Sequence, residues 1–426
     1  MRSPLDIAAA DVWKGDELAA RLERSVTGTR FRYLPGYEGP PVATTLPVTE
    51  HELVSTGGSL PAYFTGLLPE GRRLGALRRS IKTSADDELS LLLAVGADAI
   101  GDVRVVPAGE RPEPAQVRVR LDAETGLDFA ALIRELDLQP ERRALPGVQD
   151  KTSAAMITLP AASRGQQHLL KLDPPEYPGL SENEACLLTA ARTAGLKASQ
   201  AQVVRDRHGA PGLAVLRFDR PVTPGSPERL AVEDGCQVLG RPPGDKYLVG
   251  YRDSFMALAA VCDARALAVR TLLEQLVFSV LTANGDAHAK NFSVLQQPDG
   301  EWRVSPAYDV PTSHPYGDTT LAMPVNGRRS DVGASDVLGL AEDLGLPARA
   351  ARRVLTQATE RVESWLPLLE QLPYDLGRRR KLVRVVEQRR RRLTPSGGPG
   401  RHGFTPLPRR GAPVTPSLVA ELREDG

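Results

Sequence analysis

The sequence predicts an α+β protein of two lobes, a strand-rich N-terminal lobe and a helical C-terminal lobe, preceded by a small extra α/β unit. Three observations carry this. Up to about residue 219 the chain reads as short strands: Thr29–Tyr33 and Asp102–Val106 alternate polar and apolar side chains, the period-two signature, and His168–Leu172 is an apolar strand holding one lysine. From Ser254 onward helical spacing takes over, with Leu272, Leu276 and Val280 repeating every four residues. Between that helix and a hairpin (Phe292–Leu295, a Pro298-Asp299-Gly300 turn, Trp302–Val304) lies the polar loop Asn284–Asn291.

Taken in order, residues 1 to about 50 alternate strand-like pieces with Pro/Gly turns. Residues 60–82 read as a helix with Leu60, Phe64, Leu67, Leu68, Leu74 and Leu77 on one broad face. The Leu68-Pro69-Glu70 step kinks or breaks it. Ser84–Asp87 is a capping signal for a helix over Glu88–Val95 that stops at Gly96, and Asp102–Val106 follows as a strand. Nothing in this first unit points to chemistry. Residues 107–120 read as a loop or boundary and Asp128–Leu138 as a short helix. Ala154–Leu159 and His168–Leu172 then form a strand pair. A helix opens at Ser181, with Ala185, Leu187, Leu188 and Ala191 as its apolar face and Gly195 as its stop. Ala201–Val204 and Leu213–Asp219 pair around Arg207-His208-Gly209. The last helix, Tyr374–Leu393, ends in Arg389–Arg392, a run expected to be a solvated face rather than a nucleic-acid contact. The Pro/Gly-rich tail from Thr394 cannot bury enough apolar surface to fold alone. The expected divisions are 1–110, 111–219, 220–393 and 394–426.

Bulk properties exclude several classes. A chain of 426 residues with net charge +1 has room for two or three cores and no field that marks a nucleic-acid binder. Cys186, Cys236 and Cys262 are odd in number and lack a CxxC, against a disulfide framework or zinc site and in favour of a reducing compartment. The N-terminus has no signal-peptide core and no run reaches membrane length, so a cytoplasmic setting is expected.

The loop carries the chemistry. Asp286 and Asn291 are five apart, the spacing of a base and a metal ligand in kinase catalytic loops, and Asp309 follows eighteen residues after Asn291. Phosphoryl transfer needs a carboxylate to take the acceptor proton, here Asp286. It also needs hard oxygens for Mg²⁺, here Asn291 and Asp309. Lys290 is placed to neutralise the transferring phosphate. Composition alone also favours a plain turn at Asn284-Gly285-Asp286. Gly147 opens a glycine loop whose backbone N–H groups suit phosphate, or an ordinary hairpin. Lys171 lies inside an apolar strand, where its amine must find an anion or snorkel from an edge. Glu184 has two readings, the partner that holds Lys171 on the phosphates or a capping-box answer to Ser181. Leu216, Arg217 and Phe218 fall where a hinge would offer backbone groups to adenine. His288 reads as packing under the loop, close to the nucleotide at most.

In this order the pieces resemble the HipA family of bacterial toxin kinases, over roughly residues 15–393. The carriers are Leu67–Glu70, Gly101–Val103, Gly147–Thr152, Leu169–Leu172, Glu182–Glu184, Arg217–Arg220, Glu233–Gln237 and, above all, Asn284–Phe292 with Ala307–Asp309. The resemblance implies a protein-kinase-like fold with an extra N-terminal subdomain, and ATP and Mg²⁺ as cofactors. It implies a phosphate loop of Gly147, Val148, Gln149, Asp150, Lys151 and Thr152, with Lys171, Glu184, the Leu216–Phe218 hinge, His288 and Tyr308 also at the nucleotide. It implies Asp286 as base and Asn291 and Asp309 as metal ligands. Family members are serine/threonine kinases; the best known phosphorylates glutamyl-tRNA synthetase, arresting growth, and relatives act on other aminoacyl-tRNA synthetases. A helix-turn-helix antitoxin, HipB, binds the toxin and promoter DNA, so DNA is reached only through the antitoxin. Many members carry a self-phosphorylated serine just before the loop glycine. This chain has Ala144-Leu145-Pro146 there, which implies restraint by the partner rather than by self-phosphorylation. Alternatives are a small-molecule phosphotransferase on the same scaffold, or a non-catalytic scaffold for a DNA-binding partner.

Overall fold

The structure, a computed structural model, describes residues 4–113, 119–122, 126–135, 156–222 and 229–395. The chain divides into two compact units, Met1–Thr394 and Pro395–Gly426, and the account below concerns the first. The glycine loop, Ala144 and the tail lie outside the described residues.

The N-terminal part is an antiparallel sheet of β1 (Ala9–Lys14), β2 (Glu17–Ser25), β3 (Gly28–Tyr33), β4 (Leu53–Thr56) and β5 (Val103–Pro107), in the order β4-β3-β2-β1-β5. Alternation does the work: Ala20 and Leu22 of β2 and Phe31 and Tyr33 of β3 are buried. They pack on α1 (Ala62–Gly66), α2 (Gly71–Ile81) and α3 (Glu88–Val95). The expected helix over 60–82 is thus two helices, separated at Pro69 because proline removes a donor and clashes with the preceding turn. Asp87 caps α3 as expected, its side chain accepting the Ser90 N–H. Gly96, however, has a right-handed backbone and opens a short 3₁₀ turn. A Cβ there would lie 2.8 Å from the Val105 carbonyl, so close approach to β5 is what calls for glycine.

The second sheet, in the order β6-β7-β8-β10-β9, joins β6 (Val119–Arg120), β7 (Ile157–Ser163), β8 (Gln166–Leu172), β9 (Ala201–Arg205) and β10 (Pro211–Leu216). Between β6 and β7 the described chain forms α4 (Phe129–Glu135), and α5 (Leu180–Thr193) packs against β9 and β10. Among the described strands of this sheet only β6 and β7 run parallel. Beyond it come β11 (Val232–Asp234), α6 (Gly235–Val238), α7 (Tyr251–Val261) and α8 (Arg265–Leu281). The hairpin β12 (Ser293–Gln296) and β13 (Trp302–Val304) then completes a β11-β12-β13 sheet. The first unit closes with α9 (Ala334–Asp343), α10 (Ala348–Glu360), α11 (Val362–Trp365) and α12 (Leu376–Leu393).

The four-residue spacing at Leu272, Leu276 and Val280 understates α8. From Leu272 to Leu281 every residue but Glu274 is buried, the mark of a helix at the centre of a core rather than on its surface. The basic run closing α12 is not simply solvated either. Arg389 donates to the carbonyls of Val280 at 2.7 Å and Thr319 at 2.9 Å, Arg390 pairs with Glu363, and Arg392 pairs with Asp331. Among the described residues, no helix is long and apolar enough to cross a membrane.

Candidate active site

Lys171 sits in β8 between the buried Leu170 and Leu172, so its side chain projects from the opposite face. Glu184 lies in the second turn of α5. What aims it is the capping of that helix: Asp173 accepts the N–H groups of Gly179 at 2.8 Å and Ser181 at 2.7 Å. Ser181 is therefore inside the helix, its hydroxyl turned to Asp173, and the capping-box reading of Glu184 is not realised. Instead Lys171 Nζ donates to Glu184 at 2.7 and 2.8 Å and to Asp309 Oδ1 at 3.0 Å. Burial alone would lower the lysine's pKa, but the Asp309 and Glu184 carboxylates outweigh it and hold the amine well above its ordinary value. The ammonium is locked on.

The Asn284–Asn291 loop follows α8 directly. Ala283 turns the chain with φ of 57°, and Asp286 N–H donates to Asn284 Oδ1 at 3.0 Å, so the segment is a turn as its composition favours. Gly285 is required by crowding, since a Cβ would lie 2.5 Å from Ser313 Oγ and 2.7 Å from the Thr320 carbonyl. Asp286 is 2% exposed and its Oδ1 accepts the Tyr247 hydroxyl at 2.8 Å. His288 packs edge-on against Tyr247, ring centroids 5.1 Å apart. Burial first, then the charge of Lys246, push the imidazole down to about 3, so it is neutral. Asn291 Nδ2 donates to Asp309 Oδ2 at 2.7 Å, while its Oδ1 is buried without a partner. Asp309 holds a left-handed backbone, φ 54°, uncommon for a residue with a Cβ.

These groups meet at a cavity of about 380 Å³ lined by Lys171, Glu184, His288, Lys290, Asn291 and Asp309, with Leu216, Phe218 and Tyr308 further along its wall. Phe218 and Tyr308 pack ring to ring at 5.8 Å, and the Tyr308 hydroxyl donates to the Lys290 carbonyl at 2.6 Å. Asp286 does not line the cavity; it lies buried with Tyr247 upon it.

Two of the expected site residues engage their side chains elsewhere. Arg217 lines the cavity but offers little to a base. Its N–H is donated to the Gln167 carbonyl at 3.0 Å. Its guanidinium is drawn into a buried cluster with Asp219 at 2.9 Å and Asp98 at 3.1 Å, which ties the hinge to the N-terminal part. Lys290, expected to neutralise the transferring phosphate, lines the cavity with its ammonium already held by carboxylates. Its Nζ lies 2.6 Å from Glu70 Oε1 and 3.9 Å from Asp234 Oδ2, because a lysine this deeply buried must find an anion.

Glu70 itself was missed, and the N-terminal part does contribute to the site. The glutamate pairs with Lys246 through its other oxygen at 2.6 Å. Burial pushes its pKa up, yet the two lysines prevail and bring it to about 2. The signal available was the abrupt Pro69 break beside a charged residue. Tyr247 had no signal.

The donor set suits magnesium. Asp309 offers a carboxylate with spare lone pairs, and Asn291, whose Oδ1 is buried without a partner, lines the same cavity. Among the described residues no three His, Cys, Asp or Glu side chains gather to cage an ion. One carboxylate and one amide match the way Mg²⁺ is held where substrate phosphates and water complete its shell.

A strand lysine paired to a helix glutamate, above a loop that ends in an asparagine bonded to an aspartate, defines a protein-kinase-like fold of two lobes. The chain belongs to the HipA family: the "HipA-like C-terminal domain" matches residues 143–366 and the "HipA N-terminal domain" residues 10–106. A putative kinase, Y4mE, of Sinorhizobium fredii is 31% identical over 322 residues, covering 70% of this chain and 76% of the relative. The serine/threonine-protein kinase toxin HipA of Shewanella oneidensis is 27% identical over 401 residues, covering 84% and 90% of the two chains. Among solved structures, a complex of Shewanella oneidensis HipA with HipB and operator DNA matches the fold with a TM-score of 0.70. That match covers 90% of this chain and 96% of the other at 22% identity.

Proposed function

We propose that this protein is an ATP-dependent serine/threonine kinase, the toxin of a toxin–antitoxin pair, acting in the cytoplasm on an aminoacyl-tRNA synthetase. The observation that carries this is the meeting of Lys171, Glu184, Asn291 and Asp309 on one cavity, with Asp286 in the same loop as Asn291. Lys171, kept charged, binds phosphate oxygens of ATP, and Glu184 holds it in place. Asn291 and Asp309 hold magnesium, which offsets phosphate charge when bound. Leu216, Phe218 and Tyr308 flank the base, with the backbone of Gly147–Thr152 assigned to the phosphates. Asp286 takes the proton from the acceptor hydroxyl as the phosphoryl group arrives, and Tyr247 orients that carboxylate until the acceptor displaces it. The names of the relatives support the toxin assignment, and the solved HipA–HipB–DNA complex supports a HipB-like antitoxin as partner, with DNA reached through it.

The test is transfer of labelled γ-phosphate from ATP into a panel of purified aminoacyl-tRNA synthetases, each with and without its tRNA. Labelling of one synthetase establishes the reaction and its target. Labelling of none, with ATP bound, overturns the synthetase as acceptor.

A further inference from the structure

We infer that Glu70, a residue of the N-terminal part, is a positioning residue for the Asn284–Asn291 loop, acting through Lys246 and Lys290. The inference rests on the kinase reading above. Each oxygen of the carboxylate has its own ammonium: Oε1 lies 2.6 Å from Lys290 Nζ, and Oε2 lies 2.6 Å from Lys246 Nζ. Such short charge-assisted bonds are about twice as strong as neutral ones. Each lysine in turn adjoins a group assigned to the reaction. Lys290 precedes Asn291, which bonds to Asp309 at 2.7 Å. Lys246 precedes Tyr247, whose hydroxyl bonds to Asp286 at 2.8 Å, and the Lys246 carbonyl accepts the Ala289 N–H at 3.2 Å. One carboxylate thus fastens together the segment that orients the base and the segment that carries the metal ligand.

This is not a surface pair whose loss goes unnoticed. The side chains of Lys290 and Lys246 are only 13% and 11% exposed. Without Glu70, Lys290 keeps only the distant Asp234 among the described anions, and Lys246 keeps none within ion-pair reach. Two buried ammonium groups lacking their shared counter-ion repel each other and are driven toward water. The backbone is shaped to deliver the carboxylate. Pro69 ends the preceding helical segment, and Gly71, at φ 55°, takes a left-handed turn that other residues adopt at a cost. Among the described residues Glu70 makes no ion pair with Lys171, and its link to the Lys171–Glu184–Asp309 cluster runs through the loop, by way of Asn291 and its bond to Asp309.

The experiment compares wild type, Glu70→Gln and Glu70→Asp in the full chain. The readouts are steady-state phosphate transfer and hydrogen exchange of peptides covering 284–291 and 265–281. Glu70→Gln is expected to lower kcat by about 30-fold or more, and Glu70→Asp to recover to within about 10-fold of wild type. Exchange at 284–291 should quicken in Glu70→Gln while 265–281 stays protected. A Gln variant with unchanged kcat and exchange overturns the inference. So does exchange that quickens equally across 265–281, which makes Glu70 a general structural support. Should wild type transfer no phosphate at all, the kinase reading fails, and the exchange comparison still decides whether Glu70 orders the loop.

Discussion

Replacing Glu184 with glutamine separates the two roles the sequence allows for this residue. As a capping-box residue, glutamine serves as well as glutamate, so the variant would behave as wild type. As the partner of Lys171, glutamate receives two bonds from the ammonium, at 2.7 and 2.8 Å, and glutamine has one acceptor oxygen for them. One charge-assisted hydrogen bond is lost, about 1.5–3 kcal/mol, while Lys171 keeps Asp309 at 3.0 Å and is not stranded. At 1.36 kcal/mol per tenfold, kcat/KM should fall by about 10- to 150-fold. The assay is initial-rate phosphate transfer over a range of ATP concentrations, with circular dichroism to confirm that α5 persists. A rate within about 3-fold of wild type would refute the pairing argument.

Other outcomes follow from the same geometry. Asn183→Leu removes a buried clip in which Asn183 donates to the Thr312 carbonyl at 2.8 Å and accepts the Thr312 N–H at 3.0 Å. Stranding both backbone groups should cost about 2–4 kcal/mol in urea unfolding and reduce transfer by loosening the chain just beyond Asp309. Stability should fall as pH drops. His288, depressed to about 3 in the fold, is protonated below its ordinary pKa of 6.5 only in the unfolded chain. Its contribution is therefore complete above pH 6.5 and declines toward pH 3, by at most about 1.4 kcal/mol per unit. Glu70, at about 2, adds a second decline that begins near its ordinary value of 4.5. A His288→Phe variant should flatten unfolding free energy between pH 6.5 and 4.5. Asp309→Asn should weaken magnesium-dependent ATP binding by at least about tenfold, read by calorimetry with and without the metal.

What the sequence disclosed about this site was mostly local. Asp286 and Asn291 share one tight loop, and Lys171 and Glu184 sit on adjacent elements, so spacing and residue type were enough to single them out. The structure links Lys171 to Glu184 and to Asp309, and Asp309 to Asn291, by hydrogen bonds. Contacts across long loops were illegible. Glu70 meets Lys246 across 176 positions, and no period or cap announces such a pairing. Lys290 and Arg217 were read from position alone, and both side chains turned to nearer carboxylates because burial makes an unpaired cation costly. The same cause explains Arg389, whose guanidinium is spent on main-chain carbonyls rather than left in solvent. The fold was more legible than the contacts. Alternation in β3 and β5, the proline between α1 and α2 and the Asp87 cap all act over a few residues, which is the range over which sequence patterns speak.

The central claim is that this cavity transfers phosphate with Asp286 as base. Its most direct test sets wild type beside Asp286→Asn, measuring label passed from γ-labelled ATP to protein acceptor and, separately, ATP affinity. The account predicts a loss of about 10³-fold or more in transfer with ATP affinity nearly unchanged, because Asp286 lies outside the cavity lining. Equal labelling by both proteins would contradict it.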